Sequence, residues 1–140
     1  SIFMKTKQCK PNLNSNTYEK SSFTPHFLFY FILFGMGEDG HTASLFPGSQ
    51  ILNENKKKVA AQFVDNLGVW RISLTYPTLN AARHVVVLVV GNDKAEILSE
   101  ISNLPDGDVH YPIQGIHPKG NLSWFLDKPA SLLMSDSARP

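Results

Sequence analysis

The sequence FLFYFILFGMGEDGH, residues 27–41, decides the predicted fold. Its first part, residues 27–34, is an unbroken apolar run, which is typical of a strand buried on both faces. The run ends at Gly35-Met36-Gly37, a composition typical of a turn. Because the run is too short for a membrane-spanning helix, we predict a buried strand followed by a glycine-rich loop, and no membrane partner.

Strand and helix patterns alternate on the carboxyl side of this loop. Strands are predicted over residues 59–64, 69–75, 85–90 and 122–126, and helices over 42–46 and 78–83, from a capping box of Asp93 and Glu96, and from Asp127 through Met134. This alternation favours an α/β fold with a partial, layered and mainly parallel sheet. In such a sheet the ligand site lies beyond the carboxyl ends of the strands, which here are the loops after Phe34, Thr75 and Val90.

Composition limits the remaining classes of partner. The 140 residues leave room for one domain, and 13 Lys plus Arg against 12 Asp plus Glu give a net charge of +1. This near-neutral balance predicts no general attraction to nucleic acid or to an anionic membrane. The single cysteine, Cys9, cannot form an intramolecular disulfide, which favours a reducing, cytoplasmic location.

Residues 1–26 differ in composition from the rest of the chain. They are rich in Lys, Asn, Ser and Thr and show no apolar periodicity typical of a strand or a helix. We therefore predict a flexible tail over residues 1–26 and a folded domain over residues 27–140.

The glycine loop, which we define as residues 35–41, admits three interpretations. Its first six residues match G-x-G-x-x-G directly after a predicted strand, and Asp65 ends the next strand, as in a dinucleotide site. Against this, Glu38 and Asp39 stand where a pyrophosphate would bind, and Pro47 stops the following helix. The other two interpretations are a purely structural turn and a catalytic loop.

His41 and Asp39 are the candidate catalytic pair of this loop. An imidazole can take a proton from water near neutral pH, and a nearby carboxylate can orient the ring and stabilise its positive form. Backbone N–H groups of the loop and of the next turn, at Gly37, Gly40 and Thr42, are candidates for stabilising an oxyanion. Alternatively, Asp39 and His41 only cap a helix that begins at Thr42.

Other reaction centres have less support in the sequence. Ser44 lacks the G-x-S-x-G motif of a serine hydrolase, and His110 and His117 lack further ligands at metal-site spacing. We therefore predict that the protein uses neither a metal nor a cofactor.

Residues 35–47, GMGEDGHTASLFP, resemble the signature of the 6-phosphogluconolactonases. Segments that resemble later parts of the same family follow in order: RISLT at 71–75, Pro77 with NAA at 80–82, Gly91 with Lys94-Ala95, and LSWFLD at 122–127. The resemblance implies a fold similar to that of glucosamine-6-phosphate deaminases and ribose-5-phosphate isomerases. It also implies hydrolysis of a small sugar phosphate lactone, 6-phosphogluconolactone, to 6-phosphogluconate in the pentose phosphate pathway. The deaminases share the Asp-Gly-His core but continue differently, so deamination is a minor alternative.

The resemblance implies roles for individual residues. His41 matches the family's general base, which would activate water for attack on the lactone carbonyl while Asp39 orients the ring. Arg71 and Lys94 match the basic residues that carry the substrate phosphate. An arginine offers a bidentate fork, and Lys94 lies in the first turn of its predicted helix, where anions bind. The alternative for these two residues is a solvated surface charge.

The amino-terminal part of the family is not recognisable in this sequence. A first strand, a glycine- and serine-rich phosphate loop and further strand–helix units are expected before residue 35, and residues 1–26 resemble none of them. We hypothesise that residues 27–140 are the carboxyl-terminal portion of a lactonase. Missing strands would leave apolar edges exposed, so we expect self-association, with a non-catalytic remnant as the alternative to a working enzyme.

Overall fold

The computed structural model describes residues 2–8, 29–105 and 109–135. The strands are β1 (Ile2–Gln8), β2 (Phe31–Phe34), β3 (Val59–Val64), β4 (Val69–Leu74), β5 (His84–Val89) and β6 (Asn121–Asp127). The α-helices are α1 (Tyr76–Leu79) and α2 (Ala95–Asn103), and short 3-10 helices cover Gln50–Asn53, Asn92–Lys94 and Pro112–Gly115.

Four strands form the main sheet in the order β1-β6-β5-β2. β5 pairs in parallel with β2 and with β6, so that Val87 lies between Phe34 and Trp124 in the register. The prediction of an α/β fold with a mainly parallel sheet is confirmed.

Residues 2–8, which fall in the predicted flexible tail, form the strand β1. Residues 2–8 pair antiparallel with β6 along its full length, from Ile2 opposite Asp127 to Gln8 opposite Asn121. The sequence did not indicate this strand because its partner lies far along the chain and the polar composition of the following residues dominates the segment. Residues 9–26 of the predicted tail lie outside the described residues.

β3 and β4 form a separate antiparallel hairpin. The strand predicted over residues 69–75 is present as β4, and burial along it is confined to its carboxyl-terminal end. Ser73 is buried, whereas Trp70 and Ile72 on the opposite face are 70% and 74% exposed. Ser73 is buried because it packs against the turn that follows the glycine loop, where Gln62 of β3 also binds.

Apolar side chains of the parallel strands form the core with α2. The buried set includes Phe34, Leu45, Val85, Val87, Val89, Ile97, Leu98, Ile113 and Leu126. Ile97 and Leu98 form the buried side of α2, and Ile101 is partly buried against the same core. No helix among the described residues is long and apolar enough to cross a membrane.

Three predicted local features are wrong. Residues 42–46 form no helix but a turn, closed by a hydrogen bond from the Leu45 N–H to the Thr42 carbonyl at 2.9 Å. The Asp93 side chain caps no helix, because it pairs with Lys94 instead. After Asp127 the chain forms turns, and the Asp127 carboxylate accepts a hydrogen bond from the Ala130 N–H at 2.9 Å.

Candidate active site

The carboxyl ends of neighbouring parallel strands bring two of the three predicted loops together. The glycine loop follows β2, and residues 90–94 follow β5, its partner. Lys94 Nζ lies 3.6 Å from Glu38 Oε1 across this junction. At the end of β6, both Asp127 carboxylate oxygens accept from the Gly91 N–H at 3.1 Å. Three strands therefore build this edge of the sheet.

The third predicted loop, after Thr75, does not join this edge. Thr75 is fully buried, and its hydroxyl donates to the Lys57 carbonyl at 2.5 Å. The helix that follows ends at Asn80, which binds the N–H groups of His117 and Lys119 just before β6 begins. The prediction fails because β4 belongs to the separate hairpin and not to the parallel sheet.

Two glycines set the shape of the glycine loop. The Gly37 N–H donates to the His41 carbonyl at 2.9 Å, and the Gly40 N–H donates to the Gly37 carbonyl at 3.1 Å. Any Cβ at Gly37 would overlap the His41 ring, and one at Gly40 would lie 2.8 Å from Tyr111 Cβ. The N–H groups considered for an oxyanion at these two positions are thus used within the loop, and the glycines act through their shape.

Asp39 holds His41 through two hydrogen bonds to one carboxylate oxygen. Oδ1 accepts from the His41 N–H at 3.1 Å and lies 2.5 Å from His41 Nδ1. The His41 ring also packs against Phe46, with the ring centroids 4.6 Å apart. The ring is one-third exposed. The imidazole is therefore fixed on one side while part of it stays open to solvent.

The protonation of Asp39 determines which nitrogen of His41 is free. Partial burial raises the pKa of Asp39, but the hydrogen bonds from the His41 side chain and backbone outweigh it and lower the pKa below 3.8. Since an ionised carboxylate only accepts hydrogen bonds, Nδ1 must carry the proton that is donated. The Nε2 atom of the neutral ring is then an acceptor, which is the state that a general base requires.

Lys94 is a positive charge at the same edge of the sheet. It caps α2, lies 2.5 Å from Asp93 Oδ2 and faces Glu38. The hydrogen bond to Asp93 raises the pKa of Lys94 above its usual value against the opposing effect of desolvation. The Lys94 side chain is only 15% exposed, so this cation is held in place beside the glycine loop.

Arg71 lies apart from this cluster, on the exposed part of β4. Within the described ranges, no acidic side chain forms an ion pair with its guanidinium. Arg71 is opposite Gln62 in the hairpin register, and the hairpin is fastened to the turn after the glycine loop. The Ser44 N–H donates to Ser73 Oγ at 3.2 Å, and Gln62 Nε2 donates to the Ser44 carbonyl. The structure thus joins His41 and Asp39 directly, Lys94 through Glu38 of the same loop, and Arg71 through the hairpin.

The sequence did not indicate the supporting roles of Gln62, Ser73 and Tyr111. Gln62 lies between the half-buried Ala60 and the buried Val64 on one face of β3. A polar side chain at such a position needs a hydrogen-bond partner, and this was the signal that the sequence offered for its role. Tyr111 packs on Gly40, and the next segment is anchored by a hydrogen bond from the Ile113 N–H to the Gly40 carbonyl at 3.0 Å. Nothing local in the sequence links these segments.

Two interpretations of the glycine loop lose support in this geometry. A dinucleotide fingerprint and a helix cap both need a helix after Gly40, and the chain forms a turn there instead. Among the residues that the structure describes, no three His, Cys, Asp or Glu side chains are grouped to hold a metal. An open groove of about 1070 Å³ lies beside the pair, lined by Asp39, Phe46 and residues of β3.

The fold and the site together define a class of protein: an α/β protein with a mainly parallel sheet and a His–Asp pair on a glycine loop. The family model for glucosamine-6-phosphate isomerases/6-phosphogluconolactonase matches residues 3–124. The chain therefore belongs to this family, and the resemblance noted in the sequence is confirmed.

Several curated relatives are 6-phosphogluconolactonases. The chain is 39% identical to the Synechocystis protein over 135 residues, which cover 91% of this chain and 55% of the relative. It is 40% identical to the rat protein over 111 residues, which cover 77% and 42%. The chain thus spans about half the length of these curated relatives.

Solved structures show the same likeness. The devB protein superimposes with a TM-score of 0.71 at 37% identity, covering 77% of this chain and 45% of its own. The 6-phosphogluconolactonase from Trypanosoma brucei gives 0.63 at 34% identity, covering 77% and 43%. A monomeric glucosamine-6-phosphate deaminase, at 17% identity and a TM-score of 0.57, shares the fold.

Proposed function

We propose that this chain carries the catalytic loop of a 6-phosphogluconolactonase and hydrolyses 6-phosphogluconolactone to 6-phosphogluconate. The observation that carries the proposal is the His41–Asp39 pair. One carboxylate oxygen of Asp39 accepts hydrogen bonds from both the backbone N–H and the ring N–H of His41. We take the identity of the substrate from the names of the relatives. The His41–Asp39 pair provides a base suited to activating water.

The proposed reaction uses His41 Nε2 as the general base. Nε2 takes a proton from water as the water oxygen forms a bond to the lactone carbonyl carbon, and Asp39 stabilises the imidazolium. The tetrahedral oxyanion then collapses, the bond from carbon to the ring oxygen breaks, and the imidazolium returns its proton to that oxygen. One water is consumed and one carboxylic acid is produced. An oxyanion role for the Thr42 backbone N–H stays a prediction.

The substrate phosphate is assigned to Lys94 and Arg71. Lys94 is a fixed cation at the N-terminal end of α2, and the Arg71 guanidinium offers two parallel donors. The two residues lie on different elements, so a phosphate held by both would bridge the sheet edge and the hairpin. The single cysteine, Cys9, supports our further proposal of a cytoplasmic location.

The test is acid release from freshly prepared 6-phosphogluconolactone. We expect wild-type protein to exceed the spontaneous rate, and His41→Ala to fall to that rate. The matched control is His117→Ala, which removes an exposed imidazole just before β6, at the opposite end of the parallel strands from the glycine loop, and should keep wild-type activity. Equal rates for wild type and His41→Ala, with both proteins folded, would refute the proposal.

A non-catalytic remnant that acts through association is the second candidate, favoured by the exposed apolar side chains of β2. We propose self-association through β2. Its side chains Phe31 and Leu33 are 54% and 58% exposed, although strands of parallel sheets are normally covered on both faces. Sedimentation should show a dimer that Leu33→Lys converts to monomer, and a monomeric wild type would contradict the association.

A further inference from the structure

The hairpin holds the backbone of Ser44 on both sides. The Ser44 N–H donates to Ser73 Oγ at 3.2 Å, and the Ser44 carbonyl accepts from Gln62 Nε2. The Ser73 hydroxyl donates to the Leu74 carbonyl at 2.9 Å, which turns its oxygen lone pairs towards Ser44. Both side chains are buried. We call Ser44 with Gln62 and Ser73 the Ser44 clamp.

The Ser44 clamp lies between the two parts of the proposed site. Ser44 follows His41 by three residues in a turn that is also tied down by a 2.9 Å hydrogen bond from Thr42 Oγ1 to the Gly35 carbonyl. On the hairpin, Arg71 is directly opposite Gln62 and two residues before Ser73, so all three share one face. The clamp therefore links the loop that carries His41 to the strand that carries Arg71.

The backbone conformation of Ala43 is a second indication that contacts with other segments determine this turn. Ala43 has a φ of 51°, in the left-handed region that residues other than glycine rarely adopt. Such a residue persists where the surrounding structure determines its conformation. Ala43 itself is exposed, and its neighbour Ser44 makes the contacts that determine the turn.

We propose that Gln62 and Ser73 are positioning residues that set the separation between Arg71 and His41. One sugar phosphate would then meet Arg71 through its phosphate and His41 through its lactone carbonyl, although neither clamp side chain contacts it. Selectivity for a phosphorylated lactone follows from this fixed separation. The inference rests on the proposed function, because it takes the roles of His41 and Arg71 from there.

The first test compares 6-phosphogluconolactone with gluconolactone, which has no phosphate. In Ser73→Ala and Gln62→Met, we expect the ratio of kcat/KM for the two lactones to fall by about ten- to a hundredfold, as small misplacements do. Ser73→Thr keeps the hydroxyl and should restore the ratio. Ser99→Ala removes a comparable hydroxyl, which donates to the Leu133 carbonyl from α2, and should leave the ratio unchanged. An unchanged ratio, whether both values of kcat/KM fall equally or neither falls, would overturn the proposal.

A second test needs no turnover and separates the two proposals. Binding of 6-phosphogluconate should shift the NMR signals of the Arg71 guanidinium and the His41 ring together in wild type. In the clamp variants only one of the two signals should shift. If wild type binds in this way without hydrolysis, the proposed function fails and the positioning role stands. A joint shift in the clamp variants, or the lack of one in wild type, overturns the positioning role. Ser73→Ala deletes one oxygen and serves if Gln62→Met does not fold.

Discussion

Replacing Gly40 by alanine isolates the cost of crowding the glycine loop. Gly40 and Gly48 have nearly the same positive φ, 73° and 72°. A Cβ at Gly48 meets nothing within 4 Å, whereas one at Gly40 lies 2.8, 2.9 and 3.0 Å from three Tyr111 atoms. The left-handed penalty of about 1–2 kcal/mol applies to both variants and cancels in the comparison. What remains for Gly40→Ala is overpacking, which costs about 1–3 kcal/mol.

Tyr111 cannot simply move away from an added methyl group. The Ile113 N–H donates to the Gly40 carbonyl, and the Tyr111 hydroxyl pairs with Glu100 on α2. Urea unfolding at pH 7 measures the free energy of unfolding of both variants. We expect Gly40→Ala to be less stable than Gly48→Ala by about 1–3 kcal/mol. Equal stability of the two variants would show that Tyr111 does not pack on this glycine, and the reasoning would fail.

Three further predictions concern charges and protons. Asp39→Asn removes the charge that stabilises protonated His41, so kcat in the lactone assay should fall about ten- to a hundredfold. The control Asp65→Asn, on the exposed hairpin turn, should have no effect in the same assay. Lys94→Gln should raise KM for the phosphorylated lactone about tenfold with a smaller change in kcat, as measured by initial rates. Burial raises the pKa of Tyr76 to about 12, so the folded protein keeps a proton that the unfolded chain loses near 10. Stability should therefore fall from pH 10 to 12 more steeply in wild type than in Tyr76→Phe, and parallel urea-unfolding profiles would contradict this.

Local patterns in the sequence were enough to predict the parallel strands β2 and β5 and the contact between His41 and Asp39. The apolar runs at β2 and β5 indicate parallel strands, and two neighbouring parallel strands place their following loops side by side. The predicted burial of β2 on both faces is wrong, because β2 lies at the edge of the described sheet and Phe31 and Leu33 are exposed. His41 and Asp39 are two residues apart, so their contact needs only the tight loop that Gly37 and Gly40 predict. Lys94 reaches Glu38 for the same topological reason.

Long-range pairing decided the features that the sequence could not predict. β1 forms because β6 offers a free edge, and the composition of residues 2–8 says little about that partner. The β3–β4 hairpin buries Gln62 and Ser73 because Ser44 supplies backbone partners for them, while Trp70 and Ile72 stay exposed, against the usual relation between hydropathy and burial. Residues 42–46 have a helical pattern, but the contacts of Thr42 and Ser44 hold them in a turn.

The most direct test of the central claim is the initial rate of 6-phosphogluconolactone opening across a series of protein concentrations. If the glycine loop forms a working site in this chain, the rate above buffer should rise in proportion to wild-type protein and not at all with His41→Ala. A rate that stays at the spontaneous value at every concentration, with circular dichroism showing folded protein, would contradict the claim that this chain hydrolyses the lactone.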